Sequence, residues 1–410
     1  MNASAIADPG SRSTKVLTGK SVEGDLVLTG VGRARNKGVR EGRIINSKKA
    51  GDSIKKAVKR AEEMASLAIE SIQFGAGGPF AGFSRTRATV SLASGNGVVT
   101  KEDLERLQDL ARSNATGVEG EIIAEVPDEF ILDGQGGVTN PLGLEGRRLD
   151  TSTTFVTVKP KDLEAFKSSA EQSGLAFAGM LPAPVSLGYY FLNEAERDRG
   201  RVILDYGHET TEISVFREGK LADHATIKLG GSHVTNDLAA VFDLEMEKAR
   251  KSKGTVDLSA REESERKLDV KGKEGKRQLS SPIRARIEET FQLVVSKIET
   301  MGHEDLLPFG TKITGGSARM TGLPGFLSEK FGTPFELAQP AVSTRGLKDV
   351  VQNPSYGPAL ALLNWELNER SKGDAGADER DGEKADSVSN PITRLKNKVK
   401  QLFSWKGLIS

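Results

Sequence analysis

The sequence predicts an α/β fold built by duplication, with a small α+β insert in the first half and a detached helix at the end of the chain. Three observations predict it. Short strands followed by a helix occur in the same order near the N-terminus and again after residue 200, as in a duplicated fold. Residues 74 to 155 differ in texture, with strand-like pieces around one charged helix. Toward the end, 371–389 has no apolar periodicity, whereas 390–410 has a helical one.

Residues 5 to 35 alternate short apolar runs with Gly and charge, the mark of antiparallel strands joined by tight turns. A helix capped by Ser53 is expected over SIKKAVKRAEEMASLAI, because Ile54, Val58, Ala61, Met64, Ala65 and Ala68 recur at helical spacing. In the insert, ATVSLA, GEIIAEVPDEFIL and TSTTFVTV read as strands around KEDLERLQDLARS, where Thr100 caps the helix and Asp103 completes a capping box. Helix resumes from Lys161, followed by the strand RVILDYG, the hairpin SVFREGKLADHATI and a helix after GGSHVTND. Residues 245 to 290 are dense in charge and read as solvated helix and loop.

Composition excludes several functions. The 410 residues suffice for two or three domain-sized units. With 58 Lys and Arg against 57 Asp and Glu, the net charge of +1 gives no electrostatic case for nucleic acid. The absence of cysteine rules out disulfides, thiolate metal sites and a cysteine nucleophile, and the four histidines are too scattered for zinc. MNASAIADPG lacks the basic start and apolar stretch of a signal peptide, and no run reaches the roughly 18 apolar residues of a membrane span. A protein kept in the cytosol is expected.

Three stretches have the chemistry to hold a phosphate: DPGSRSTKV, LDYGHETTEISVF and ITGGSARMTGLPGFL. Such a site needs backbone amides aimed at the anion, small residues for close approach, and hydroxyls or carboxylates to place a hydrated magnesium ion. One Gly-Gly after a strand is more often an ordinary turn. Two Asp-x-Gly turns about two hundred residues apart, followed by a strand ending in Thr-Gly-Gly, are more specific, and they resemble the actin, sugar kinase and Hsp70 ATPase superfamily.

Within that superfamily the chain resembles the FtsA family of actin-like cell-division proteins over nearly its whole length. VPDEFILDGQGGVTNPLGLEGRRL is similar to that family's inserted subdomain, IKLGGSHVTNDLAAVF to its glycine pair and T-x-D helix start, and ITGGSARMTGLPGF with FGTPFELAQP to its adenosine-side loop and next strand. NPSYGPALALL is similar to its last core helix. The resemblance implies an actin-like two-lobed ATPase fold of duplicated RNase H-like domains with an inserted α+β subdomain 1C. The implied division is 1A over 1–73 and 159–200, 1C over 74–158, 2A over 201–243 and 309–370, and 2B over 244–308. A disordered linker over 371–389 and an amphipathic helix over 390–410 follow.

The resemblance places ATP on Asp8, Gly10, Thr14 and Lys15 of the first turn, Asp205, Gly207, Thr210 and Thr211 of the second, and Gly315, Gly316 and Ser317 of the third. Glu247 and Arg250, followed by Gly254, match its E-x-x-K…G pattern on the base side, and Asp8 and Asp205 would hold magnesium through water. The chain departs from the pattern in both aspartate turns. The first has two extra residues. In the second, His208 and Glu209 stand for glycines and Glu212 for an aspartate, so side chains would block close backbone approach and Glu209 would set negative charge beside a triphosphate. The expectation is a scaffold that binds ATP with at most weak turnover.

In NPITRLKNKVKQLFSWKGLIS, Asn390 caps, Pro391 occupies the first helical position, and Ile392, Leu395, Val399, Leu402 and Phe403 share a face. Arg394, Lys396, Lys398, Lys400 and Lys406 are basic with no acid among them, and Trp405 adds an interfacial aromatic. This pattern fits a helix lying on anionic lipid, and the resemblance implies a membrane-targeting sequence. It also implies binding of the FtsZ C-terminal peptide on subdomain 2B, head-to-tail filaments, recruitment of later division proteins, and a place on the cytoplasmic face of the inner membrane at the septum. Arg286 and Glu289 match the family's R-x-x-E in 2B, though a solvated i, i+3 pair explains them equally. The alternatives are a pilus-assembly-type actin-like membrane scaffold, an actin-fold adaptor independent of nucleotide, and a sugar or acetate kinase that would leave the tail unexplained.

Overall fold

The computed structural model describes residues 4–92, 97–115, 120–138, 140–260, 267–269 and 276–375. The expected membrane helix over 390–410 and residues 376–389 of the expected linker lie outside the described residues, whereas residues 371–375, expected as disordered linker, continue the last helix.

The first lobe opens with β1 (Ser4–Pro9), β2 (Ser13–Val22) and β3 (Asp25–Arg35), then a small hairpin of β4 (Val39–Arg40) and β5 (Arg43–Ile44), α1 (Ser47–Ala65) and β6 (Ser71–Ala76). The insert holds β7 (Ala81–Ser91), α2 (Lys101–Asn114), β8 (Glu121–Leu132), β9 (Gln135–Val138) and β10 (Arg148–Val158). The chain then returns through α3 (Pro160–Ser173), β11 (Ala176–Pro182), α4 (Ala183–Phe191) and α5 (Glu194–Arg199). The second lobe contains β12 (Arg201–Tyr206), β13 (Thr211–Arg217), β14 (Lys220–Ile227), α6 (Gly231–Phe242), α7 (Met246–Lys253), β15 (Lys267–Asp269), β16 (Lys276–Gln278) and α8 (Ser280–Thr300). It ends with β17 (Thr311–Thr314), α9 (Leu323–Phe331) and β18 (Phe335–Leu337), and the chain closes with β19 (Thr344–Arg345), α10 (Lys348–Val351) and α11 (Gly357–Ala375).

Duplication is visible in strand order. The first sheet runs β11-β6-β1-β2-β3-β19 and the second β14-β13-β12-β17-β18. In each, three strands form an antiparallel meander and two further strands add in parallel beside the first of the three. Each meander therefore delivers its first turn to the same side, and the two turns face each other across a cleft. The insert is an antiparallel sheet, β7-β10-β8-β9, with α2 packed on it over Leu107, Leu149 and Phe155.

Side-chain alternation gives each strand of the first sheet two cores. Ala7 and Val16 face α1 and α3, while Ile6 and Leu17 face α4 and α11. Ile203 and Phe216 of the second sheet enter that same second core, so α4 and α11 form the apolar hinge between the lobes.

Three element bounds differ from the sequence reading. Helix α1 starts six residues before Ser53, capped by Asn46, whose side chain accepts from the Lys49 amide. Gly51 obscured this start; it is tolerated inside the helix because α3 packs so close that a Cβ would lie 2.6 Å from that of Gln172. Ser53 is buried and donates back to the Ala50 carbonyl. Strand β6 extends to Ala76 in the first sheet, three residues past the expected insert boundary, because Ile72, Phe74 and Ala76 are core residues. Helix α6 starts at Gly231, before the T-x-D of Thr235 and Asp237. In the insert, Thr100 and Asp103 form a capping box.

Candidate functional site

Register positions the first turn. Asp8 lies opposite Lys15 across β1 and β2, and their side chains meet in a 2.6 Å ion pair on the cleft face. Thr14, one residue away, points to the other face, as a period of two requires. It is fully buried, 2.6 Å from the Ser53 hydroxyl and accepting from Asn36, and does not line the cleft. The Gly10 amide is spent on the Asp8 carbonyl at 3.0 Å, and the two extra residues carry Arg12 out into the cleft.

The second turn obeys the same rule. Asp205 and Glu212 are directly opposed across β12 and β13, so the glutamate stands on the same face as the aspartate. Thr211 points away and donates to the Leu229 carbonyl, whereas Thr210 lines the cleft. Burial, then the charge of Asp8, pushes the Asp205 carboxyl up to about 6. Burial, then the charge of Asp205, pushes Glu212 up to about 8. A Cβ on Gly77 would lie 2.9 Å from the Glu212 carboxylate, so the first lobe's backbone meets this side chain because glycine stands there. On the other side, His224 Nε2 is 3.8 Å away, and burial holds that imidazole down at about 4.

Two expectations about the second turn need correction. Neither His208 nor Glu209 has a positive φ, so the turn does not require glycine at either position. The Glu209 carboxylate does not face the cavity either: it accepts a 2.6 Å hydrogen bond from the Glu41 amide in the β4–β5 hairpin of the other lobe. Glu41 in turn pairs with Lys228 at 2.9 Å, so these groups clasp the lobes together at the cleft rim. His208 remains in the cavity, held down at about 4 by burial and then by Lys253, Arg12 and Arg250.

At the third turn, Gly315 has φ +98°, and a Cβ there would lie 2.2 Å from Asp205 Oδ1. Ser317 fastens the turn to the second, its amide donating to Tyr206 O at 2.9 Å and its hydroxyl to Gly207 O at 2.6 Å. Gly316 is exposed in the cleft. On α7, Glu247 is exposed, pairs with Arg250 and does not line the cavity; Arg250 does.

The result is a cavity of about 470 Å³ between the lobes, within the 300 to 1,000 Å³ of ordinary ligand sites, roughly speaking. It brings together Asp8, Gly10, Lys15, Asp205, Gly207, Thr210, Arg250, Gly315, Gly316 and Ser317, and leaves out Thr14, Thr211 and Glu247. Sequence reasoning gave no role to Arg12, Lys253 or Arg319, which also line it. Lys253 was open to discovery, lying three residues after Arg250 on the same helix. Among the described residues no three acidic or histidine side chains stand close enough to ligate a metal directly. The opposed carboxyls of Asp205 and Glu212, with Asp8 nearby, are hard oxygen donors, which fits a hydrated magnesium ion.

The Arg286 and Glu289 pair lies elsewhere. Arg286 of α8 grips Asp237 of α6 through two nitrogens, at 2.5 and 3.1 Å, and Glu289 at 2.6 Å. The Asp of the T-x-D start thus ties two helices of the second lobe together.

Comparison with known proteins agrees with this architecture. The model of the cell division protein FtsA family matches residues 202–361, and that of the SHS2 domain inserted in FtsA matches residues 82–157, together more than half of the chain. The chain is 28% identical to the cell division protein FtsA of Pseudomonas aeruginosa over 97% of both chains. It is 27% identical to that of Bacillus subtilis over 87% of this chain and 82% of the relative. Among solved structures it is similar to a PilM–PilN type IV pilus biogenesis complex, with TM-score 0.62 and 18% identity over 89% of this chain and 98% of the other. It is also similar to the ethanolamine utilization protein EutJ of Carboxydothermus hydrogenoformans, with TM-score 0.54 and 15% identity over 89% and 90%. The fold is actin-like, with an FtsA-type insert. This chain belongs to the FtsA family of cell division proteins.

Proposed function

We propose that the protein is a membrane adaptor of cell division, which binds the C-terminal peptide of FtsZ and tethers it to the cytoplasmic face of the inner membrane at the septum. Membership of the FtsA family is the observation that carries this reading. Head-to-tail filaments and recruitment of later division proteins belong to the same reading. Subdomain 2B, including the α8 surface around Arg286 and Glu289, would present the FtsZ site.

The anchor would be the segment 390–410, whose sequence has the pattern of an amphipathic helix. Each of its basic residues contributes about 1 kcal/mol at an anionic surface, and its apolar face adds burial. One such helix binds reversibly, and a filament multiplies its hold through avidity. No helix among the described residues is long and apolar enough to cross a membrane.

The cleft would hold ATP between the two turns, with adenosine toward α7 and Gly315–Ser317. Asp8 and Asp205 would hold hydrated magnesium, which offsets phosphate charge. With Glu212 where the family pattern has an aspartate, slow turnover or none is expected.

Sedimentation with liposomes tests the anchor. The full chain should pellet with vesicles rich in anionic lipid and much less with neutral ones, while a chain ending at Ser389 stays in the supernatant. A full chain that never pellets would contradict the adaptor reading at its first step.

A further inference from the structure

We infer that the phosphates of a bound nucleotide are held here chiefly by side-chain cations, Arg12 of the first turn and Lys253 of α7. The inference rests on the nucleotide reading of the cleft and goes further, assigning the phosphate grip to residues outside the family's turn pattern.

Several of the amides around the cleft are already engaged. Gly10 donates to Asp8 O at 3.0 Å, Gly207 to Thr210 O at 2.9 Å, Gly231 to Gly207 O at 3.1 Å, Gly315 to Pro354 O at 3.0 Å and Ser317 to Tyr206 O at 2.9 Å. Freeing the Gly231, Gly315 or Ser317 amide for an anion would break a hydrogen bond that joins separate segments around the cleft. Lys15, expected among the ATP-binding residues, is committed to Asp8.

Positive charge, by contrast, is in surplus. Arg12, Arg33, Arg250, Lys253 and Arg319 all line the cavity. Arg12 has no carboxylate within ion-pairing distance among the described residues, and Lys253 donates only to the Gly231 carbonyl, at 2.6 Å. Arg250 is neutralised by Glu247. Burial, then Arg12 and Arg250, holds the Lys253 amine down at about 8, and burial, then Arg250 and Arg33, holds Arg12 below the usual arginine range. Like charges gathered around one cavity are relieved by a polyanion, and guanidinium and ammonium donors make the stronger, charge-assisted hydrogen bonds to it.

Arg12 owes its place to the two extra residues of the first turn, and Lys253 reaches the N-terminus of α6, where the glycines of the second turn would otherwise present amides. The residues that depart from the family pattern thus come with their replacement. Magnesium becomes less necessary, since fixed cations supply much of the countercharge.

The test is competition against a fluorescent ATP analogue bound to the full-length protein, with ATP, adenosine and inorganic tripolyphosphate as competitors, in magnesium and in EDTA. Wild type should bind ATP in both, and tripolyphosphate should compete. Arg12→Gln with Lys253→Met should weaken ATP and tripolyphosphate at least tenfold while leaving adenosine within twofold, and Arg12→Lys should recover part of the loss. Unchanged melting temperatures would show that the variants fold. If wild type binds ATP and the double variant binds it equally well, the cation grip is overturned and the nucleotide reading survives. If wild type binds neither ATP nor adenosine, the nucleotide reading itself falls, and this inference with it.

Discussion

Gly315→Ala is expected to lower stability by about 3 kcal/mol or more, by adding left-handed backbone strain and a clash that are each worth about 1 to 3 kcal/mol. At φ +98° the backbone is one that alanine rarely adopts, and its methyl would lie 2.2 Å from Asp205 Oδ1 and 2.7 Å from Tyr206 O. Neither contact can yield cheaply, because Tyr206 O accepts from Ser317 and Asp205 is packed beneath the cleft. The urea midpoint should fall with little change in slope, and ATP binding should go with it. Gly316→Ala is the control. A Cβ there meets nothing within 4 Å, so its stability should stay within about 0.5 kcal/mol of wild type. Equal behaviour of the two variants would show that the third turn is not fastened to the second as described.

The second large effect concerns Glu212. Its carboxyl is pushed from 4.5 to about 8 in the folded protein, so the native state keeps a proton that the unfolded chain releases. Stability from this group is full below the unfolded value and is lost as pH rises through the folded one. Solvent access and adjustment by Asp205 and Asp8 reduce the loss, and about 1 to 2 kcal/mol between pH 5 and 8 is expected. Gln is the neutral isostere of the protonated acid. Glu212→Gln should therefore match wild type at pH 5, exceed it by about 1 to 2 kcal/mol at pH 8, and flatten the slope between. Parallel stability curves for the two proteins would place the charge elsewhere.

How much was legible follows from the range over which each feature is encoded. The duplicated strand order could be read because each meander is local and each glycine turn leaves its mark. The pairing of Asp205 with Glu212 was also within reach, since a hairpin closed at Gly207–Thr210 sets them opposite each other. The same alternation turns Thr14 and Thr211 out of the cleft, a consequence that a motif match overlooks. The start of α1 was hidden by Gly51, which reads as a break unless α3 is known to press against it. The partner of Glu209 is 168 residues away, and no local pattern could name it. Arg12 lay in plain view in the first turn, but its meaning depends on Arg250 and Lys253 from the other lobe.

The adaptor reading as a whole is tested most directly by recruitment of fluorescent FtsZ to anionic liposomes already carrying this protein. FtsZ should pellet with the full chain. It should remain in the supernatant when its own C-terminal peptide is deleted or when this protein ends at Ser389. FtsZ left in solution while the full chain sits on the membrane would contradict the account, since the anchor would then hold no partner.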